Sequence, residues 1–406
     1  MQQLNGSVGP APEAQATSPS RAIPVFRPQL GEEEIEALRE VFRSGWIGLG
    51  PQTAKFEEKF ATFVNAKHAV AVNSATAGLH LACLGLDLRQ GDEVLVPTMT
   101  FVSTAHAVVL AGGAPTFVDI DPETLNISVE DAERRITPRT RAIVVVHYGG
   151  HAAPMDEVWE FARRHNLVVI EDAAHACGTL YRGAPVGGLD GTDVTVFSFH
   201  AVKNLATGDG GMLTTNRDDL RTAYDRLKWV GIDRSTWDRT LPREDSAYDD
   251  LRQFARYGWY YEVHGLGYKY HMNDITAAIG LCQLAKLPDG NARRREIAAT
   301  YRAALAGITW IELPLEHSYT RSAQHNFVIK SPYRDALNTA LMQAGISTGV
   351  HYMPIHLQPY YRSTHTTLPV AEQVWRTLLT LPLYPSMTAS DVDRVIDGIR
   401  RFIPPD

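Results

Sequence analysis

Residues 167–175 read Leu-Val-Val-Ile-Glu-Asp-Ala-Ala-His, so an apolar run leads into two carboxylates, two small residues and a histidine. A short, continuously apolar run is typical of a strand that is buried on both faces of a sheet. Similar runs recur along the chain, and segments of helical periodicity separate them. The predicted strands are residues 68–72, 93–97, 114–118, 142–147, 167–170 and 195–198, and the predicted helices are residues 76–84, 102–110, 129–135 and 155–165. This alternation predicts an α/β fold with a mostly parallel sheet covered on both faces.

The remaining sequence suggests three parts. Residues 1–22 are polar and rich in Ala, Gln, Ser and Pro, which predicts a disordered tail. Residues 23–286 form the predicted large domain. Residues 287–406 return to a pattern of helices (293–305 and 333–344) and a strand (324–329), which predicts a smaller C-terminal α/β domain.

Two other segments of the large domain stand out. Residues 32–44 read as an amphipathic helix, with its apolar face formed by Ile35, Leu38, Val41 and Phe42. Residues 45–51 carry three glycines and a proline, which predicts a loop, and that loop presents Trp46. Residues 231–265 are charged and aromatic, and we interpret them as an excursion from the sheet.

Composition excludes several classes of function. The 406 residues carry 39 Lys and Arg against 46 Asp and Glu, a formal charge of −7, which argues against nucleic acid as a partner. No run of 18 apolar residues occurs, so no membrane span is expected, and no secretory signal is evident. The three cysteines are scattered and predict neither a disulfide framework nor a zinc site. A cytoplasmic protein is the default expectation.

Two segments carry candidate catalytic groups. Asp172 and His175 are three residues apart, so one helical turn would place them on one face, although Asp172 could also simply cap a helix. Lys203 stands among apolar and small residues just before a run with three glycines in four positions. Desolvation would lower its pKa and make it a nucleophile or base. An ordinary solvated lysine on a glycine-rich turn is the alternative.

Other strand ends offer binding groups. Ser74, Ala75 and Thr76 lie where a strand gives way to a helix, so hydroxyl and backbone N–H groups could cradle an anion, or merely cap the helix. Phe101 follows the next strand and could stack on a planar ligand, although such rings are more often part of the core. A lysine, an aspartate, an anion cradle and an aromatic ring are together what pyridoxal phosphate needs.

The same segments resemble the DegT/StrS-type sugar aminotransferases, and the similarity runs from about Ile23 to the C-terminus. The motifs that carry it are Glu-Asp-Ala-Ala-His at 171–175, Phe-Ser-Phe-His-Ala-Val-Lys-Asn at 197–204, Gly-Asp-Gly-Gly at 208–211, Asn-Ser-Ala-Thr-Ala-Gly at 73–78, Pro-Thr-Met-Thr-Phe at 97–101 and Gly-Tyr-Lys-Tyr-His-Met-Asn-Asp-Ile at 267–275. The Tyr-Lys-Tyr version resembles most the branch that makes 4-amino-4-deoxy-arabinose on UDP. The resemblance implies an aspartate-aminotransferase-like (type I) fold, pyridoxal 5'-phosphate as cofactor and a homodimer.

The resemblance also implies roles for individual residues. Lys203 would be the Schiff-base lysine, Asp172 the partner of the pyridine nitrogen, and His175 a neighbour of the ring hydroxyl. Ser74, Ala75 and Ser198 would hold the phosphate, and Phe101 would stack on the ring. Lys269 would reach the phosphate of the neighbouring subunit, so that each active site is composite. Trp46 and His356 are candidate substrate contacts.

The predicted function is therefore amination of a nucleotide-linked keto sugar, expected at the 4-keto position, with glutamate as the expected amino donor. Two alternatives stay open: an aminotransferase for an unlinked keto-cyclitol or sugar, and a non-catalytic regulator that binds pyridoxal phosphate. No metal is expected. His147 and His151 are four residues apart, but the two glycines between them disfavour the helix on which such a pair would bind one metal ion.

Overall fold

The computed structural model describes residues 22–235, 237–240, 251–362 and 366–405, so the predicted tail lies almost wholly outside the described residues. The helices of the described chain are α1 (Glu32–Ser44), α2 (Pro51–Val64), α3 (Ala75–Leu84), α4 (Ser103–Leu110), α5 (Val129–Arg135), α6 (Met155–His165), α7 (Asp218–Lys228), α8 (Asp274–Leu305), α9 (Arg334–Gln343), α10 (Pro369–Val374) and α11 (Ala389–Arg400). The strands are β1 (His68–Val72), β2 (Glu93–Pro97), β3 (Ala114–Val118), β4 (Thr140–Val146), β5 (Val168–Asp172), β6 (Leu180–Tyr181), β7 (Ala184–Pro185), β8 (Val194–Ser198), β9 (Gly211–Thr215), β10 (Thr320–Arg321), β11 (Phe327–Lys330) and β12 (Leu378–Leu381).

Seven strands form the central sheet, in the order β1-β9-β8-β5-β4-β2-β3. The five strands from β8 to β3 pair in parallel, and β9 runs antiparallel to both of its neighbours. One apolar core lies between the sheet and α2, α6 and α8, and a second lies on the opposite face beneath α3, α4 and α7. The predicted mostly parallel sheet with helices on both faces is therefore confirmed.

Two helices and three strands of the large domain were not predicted. They are α2, α7, the two-residue strands β6 and β7, and β9, which inserts between β1 and β8. Helix α2 begins right at the Gly/Pro loop because Asp274 caps it from α8: one carboxylate oxygen accepts the backbone N–H of Thr53 at 2.9 Å and the other that of Gln52 at 3.1 Å. A cap that lies more than 200 residues away leaves no trace in the local sequence.

The expected boundary between residues 286 and 287 falls inside a continuous helix. Helix α8 has 32 residues and runs past Pro288, so its first half packs on the large domain and its second half enters the C-terminal core. The N-terminal segment also departs from the expectation. Ile23, assigned above to the large domain, forms a bridge with Ile346 and is buried in the core of the C-terminal domain. The described chain therefore both begins and ends against the smaller domain.

The C-terminal domain is built on the antiparallel pair β11–β12. Its core lies between this pair, α9, α11 and the second half of α8. In the large domain, the apolar face predicted for α1 is only partly covered, since Val41 is buried whereas Ile35 and Phe42 are exposed. None of the helices in the described part of the chain combines the length and apolar content that a bilayer span requires.

Candidate active site

A deep pocket opens at the carboxyl ends of the sheet strands, where ligands bind in open α/β sheets. Strands β1, β2, β5 and β8 each lead directly into one of its walls, and the C-terminal domain closes the opposite side. The cavity volume of the pocket is about 320 Å³. The residues predicted from the sequence that line it are Ser74, Ala75, Phe101, Asp172, His175, Ser198 and Lys203.

Lys203 lies on the loop that follows β8. Its backbone N–H bonds the carbonyl of His200 at 2.8 Å, which forms a tight turn and brings the side chain into the pocket. Burial lowers the pKa of the Lys203 amine to about 8, while the negative charge of Asp172 opposes that change. A substantial fraction of the amine is therefore neutral near physiological pH, as a nucleophile or base requires.

Asp172 is the last residue of β5 and is buried. One carboxylate oxygen accepts the hydroxyl of Thr104 at 2.7 Å, and the other accepts the backbone N–H of Ala174 at 3.1 Å. Burial raises the pKa of Asp172, although these hydrogen bonds and the Lys203 amine act in the opposite direction. Residues 173–179 form turns, so Asp172 caps no helix and shares no helical face with His175. Both interpretations that assumed a helix there are wrong.

His175 reaches the pocket through that turn instead. Its Nδ1 accepts the backbone N–H of Gly149 at 3.3 Å, so its Nε2 carries the proton and faces the hydroxyl of Tyr352 at 3.0 Å. Burial and the nearby Lys203 amine hold the pKa of His175 well below its usual range. The ring is therefore a neutral donor with a fixed orientation.

The start of α3 forms one end of the pocket. Ser74 is its N-cap, and the Ser74 hydroxyl accepts the backbone N–H of Ala77 at 3.1 Å. A Cβ at Gly211, the first residue of β9, would lie 2.7 Å from the backbone nitrogen of Ala75, so only glycine lets the strand approach so closely. Ser198 ends β8 in the same pocket. Hydroxyls and the first N–H groups of a helix suit a phosphate.

Phe101 follows β2 and lines the pocket with 58% of its surface exposed. The alternative that this ring belongs to the core is therefore wrong. Its nearest aromatic neighbour is Tyr352, at 6.2 Å between ring centroids. The exposed ring face is available to a planar ligand.

Three predicted site residues do not line this pocket. Lys269 places its Nζ 3.4 Å above the ring of Trp229. Trp46 donates its indole N–H to the carbonyl of Leu49 at 3.0 Å and contacts Trp237 edge-on. Neither residue lines the pocket of its own chain, so the phosphate contact of Lys269 in a neighbouring subunit and the substrate contact of Trp46 stay predictions.

His356 needs a correction. Its ring is buried, with Nδ1 2.7 Å from the Thr98 hydroxyl and Nε2 3.1 Å from the Glu372 carboxylate. Because both ring nitrogens have partners inside the protein, His356 fixes a loop and is not free to contact substrate.

The pair His147 and His151 is also used in packing. His147 Nε2 lies 2.9 Å from the Glu171 carboxylate, and its Nδ1 accepts the backbone N–H of Ala153 at 3.0 Å. His151 Nε2 accepts the backbone N–H of His317 at 3.1 Å. The two rings engage different partners and do not converge.

Several residues that line the pocket or support its walls were not predicted from the sequence. Thr104, the donor to Asp172, lies three residues after Phe101 on α4, a spacing that could have pointed to it. The C-terminal domain adds His325, His351 and Tyr352, and the N-terminal segment adds Phe26. No local pattern connects these residues to the sheet edge, since their approach depends on how the two domains pack.

Comparison with known proteins agrees with this geometry. The sequence pattern of the DegT/DnrJ/EryC1/StrS aminotransferase family matches residues 28–400. The spore coat polysaccharide biosynthesis protein SpsC of Bacillus subtilis is 41% identical over 392 residues, which cover 94% of this chain and 97% of that protein. The aminotransferase TlmJ from Streptoalloteichus hindustanus is 35% identical, with a TM-score of 0.84, over 93% of this chain and 98% of that one.

A third relative bears on the cofactor. Spr1654 from Streptococcus pneumoniae has been solved in a PLP form and in a PMP form. The PLP form is 28% identical to this chain, with a TM-score of 0.82, over 93% of this chain and 97% of that one. The fold is that of the pyridoxal-phosphate-dependent sugar aminotransferases, and pyridoxal phosphate is the cofactor. The residues present fit it: a partly buried lysine, a buried aspartate, the hydroxyl-bearing start of a helix and an exposed ring share one pocket.

Proposed function

Because this chain belongs to the DegT/DnrJ/EryC1/StrS aminotransferase family, we propose that it transfers an amino group from an amino acid, glutamate, to a nucleotide-linked 4-keto sugar. The observation that carries this proposal is the convergence of Lys203 and Asp172 in one pocket at the carboxyl edge of the sheet. The naming of one relative as a polysaccharide biosynthesis protein supports a sugar as the acceptor.

Bound pyridoxal phosphate supplies a carbonyl carbon that takes up the amino group and a ring that withdraws electrons from the substrate carbon. Lys203 is the residue that would hold the cofactor. Its Nζ would also move the proton between substrate and cofactor, because an amine with a pKa of about 8 both takes and returns a proton near neutral pH. Because the Lys203 amine would act on one face of the cofactor only, the product amine would have a single configuration.

Asp172 would pair with the ring nitrogen of the cofactor. Thr104 and Ala174 each donate to one of its carboxylate oxygens, so the carboxylate is held in one orientation at the end of β5. A fixed negative charge there favours the protonated form of a ring nitrogen. Ser74, Ala75 and Ser198 would hold the phosphate group, and Phe101 would cover one face of the ring.

We further propose a homodimer in which Lys269 of each subunit serves the partner's phosphate cradle. Support comes from the apolar surface left uncovered in a single chain. Ile35 and Phe42 of α1 are 45% and 60% exposed, and Trp259 of the excursion is 61% exposed. Large apolar side chains that a single chain leaves exposed are candidates for an interface between subunits.

The test compares acceptors in the second half of the reaction. In the amino-loaded enzyme, the cofactor already carries the amino group taken from glutamate. This enzyme would be mixed separately with a UDP- or dTDP-linked 4-keto sugar, with the same sugar lacking its nucleotide, and with pyruvate or oxaloacetate. Binding energy from the remote nucleotide can lower the barrier at the reacting carbon, so the linked sugar should react on the order of 100-fold faster than the others. Equal rates with 2-oxo acids would overturn the sugar assignment, and equal rates with the unlinked sugar would favour a free-sugar substrate.

A further inference from the structure

His325 forms part of the pocket wall that the C-terminal domain contributes. Its ring is 1% exposed, stacks parallel to Phe26 at 5.1 Å and packs against His175 at 4.4 Å. Its backbone N–H bonds the carbonyl of Gly149 at 3.0 Å. The position of the ring is therefore fixed on both faces and by the main chain.

A chain of hydrogen bonds determines which nitrogen of this ring carries the proton. Asn291 donates its amide N–H to the carbonyl of Cys177 at 2.9 Å, so the Asn291 side-chain oxygen is the atom that faces Asn204. Asn204 therefore turns its NH₂ group toward two acceptors, that oxygen at 2.8 Å and the carbonyl of Ala323 at 2.9 Å. A carbonyl only accepts, so neither amide can be reversed without losing its bonds.

The remaining atom of Asn204 is its side-chain oxygen, which lies 3.0 Å from Nδ1 of His325. Nδ1 must therefore carry the proton. Burial and the charge of nearby groups, among them Lys203 and Arg294, hold the pKa of His325 well below its usual range, so the ring is neutral. Nε2 then has a free lone pair, and no described residue donates a hydrogen bond to it.

We propose that Nε2 of His325 accepts a hydrogen bond from a hydroxyl group of the keto-sugar acceptor. This inference rests on the proposed function. No described residue donates to Nε2 and the His325 ring lines the pocket, so a substrate hydroxyl can supply that hydrogen bond in place of water. The carboxylate groups of the amino donor cannot, because an ionised carboxylate only accepts hydrogen bonds. At this point of the pocket, His325 would therefore favour a sugar hydroxyl over the carboxylate groups of the amino acid, in a site that must bind both substrates in turn.

The test separates the two half-reactions in His325→Phe, a variant that keeps an aromatic ring between Phe26 and His175 but has no lone pair. Reaction with glutamate and reaction of the amino-loaded enzyme with dTDP-4-keto-6-deoxyglucose would be followed in single turnovers. Loss of one hydrogen bond should lower kcat/KM for the sugar about tenfold, while the glutamate half-reaction changes less than about threefold. Asn326→Ala is the matched control, because Asn326 lines a different cavity and should change neither half-reaction.

Two measurements do not depend on the folding of a variant. In the unmutated enzyme, removing the contacted hydroxyl from the sugar should lower kcat/KM by the same tenfold. Nitrogen-15 spectra of histidine-labelled protein should show His325 protonated on Nδ1 and not on Nε2. A proton on Nε2, equal losses in both half-reactions, or no hydroxyl whose removal matters would each overturn the assignment of His325. Failure of the unmutated enzyme to aminate any nucleotide-linked keto sugar would instead overturn the proposed function, whatever the spectra show.

Discussion

In the cofactor-free protein, Lys203 should titrate well below the usual range of a lysine. Burial lowers the pKa of Lys203 from 10.5 to about 8, which raises the neutral fraction of its amine at pH 7 from about 1 in 3000 to about 1 in 10, or roughly 300-fold. Only the neutral amine reacts with an acylating reagent, so labelling of Lys203 should rise with pH and reach half its maximum near pH 8.

The assay is brief labelling between pH 6 and 11, followed by mass spectrometry of the peptides. Exposed Lys55 serves as an internal measure of reagent activity, and the midpoint is read instead of the absolute rate because the pocket slows access. Asp172→Asn removes the negative charge that favours the ammonium form, so the midpoint should move below 8. A midpoint near 10.5, or a rise in Asp172→Asn, would refute this account of the pocket.

Three further outcomes follow from the same contacts. Asp172→Asn should still bind cofactor yet transaminate on the order of 100-fold or more slowly in steady-state assays, because its ring-nitrogen partner has lost its charge; near-normal turnover would contradict the role. Thr104→Val removes a hydrogen bond that favours the Asp172 carboxylate, so the pKa of Asp172 should rise further. On titration toward acid, this variant should release the cofactor at a higher pH than the unmutated protein does. An unchanged release profile would refute the effect of Thr104 on Asp172. Mixing Lys203→Ala with Lys269→Ala subunits should restore about a quarter of full activity, since about half the dimers are mixed and each holds one complete site; no recovery with verified exchange would exclude a lysine shared across the interface.

Much of the fold could be predicted because its strands are short, apolar and separated by helices. The six strands predicted from those runs lie within two residues of β1 to β5 and β8. Elements that depend on distant partners could not be predicted. Helix α2 follows a loop-like sequence and is capped by Asp274, and α8 passes through Pro288 because both domains pack along it.

The site divides in the same way. Residues at strand ends, such as Asp172 and Ser74, were predictable because the carboxyl edge of a parallel sheet collects them. The expected helix after Asp172 was wrong, since residues 173–179 turn sharply and bring His175 back beside Gly149. His325 and Tyr352 were missed because only the packing of the second domain carries them to the sheet edge.

The most direct test of the account is to find the residue to which the cofactor is attached. The yellow holoenzyme would be reduced with borohydride, digested and mapped for the peptide that carries the cofactor. We predict a single modified residue, Lys203, and no modification in Lys203→Ala, a variant that should still fold because the lysine side chain faces a pocket. Attachment to any other lysine of the unmutated enzyme would contradict this assignment.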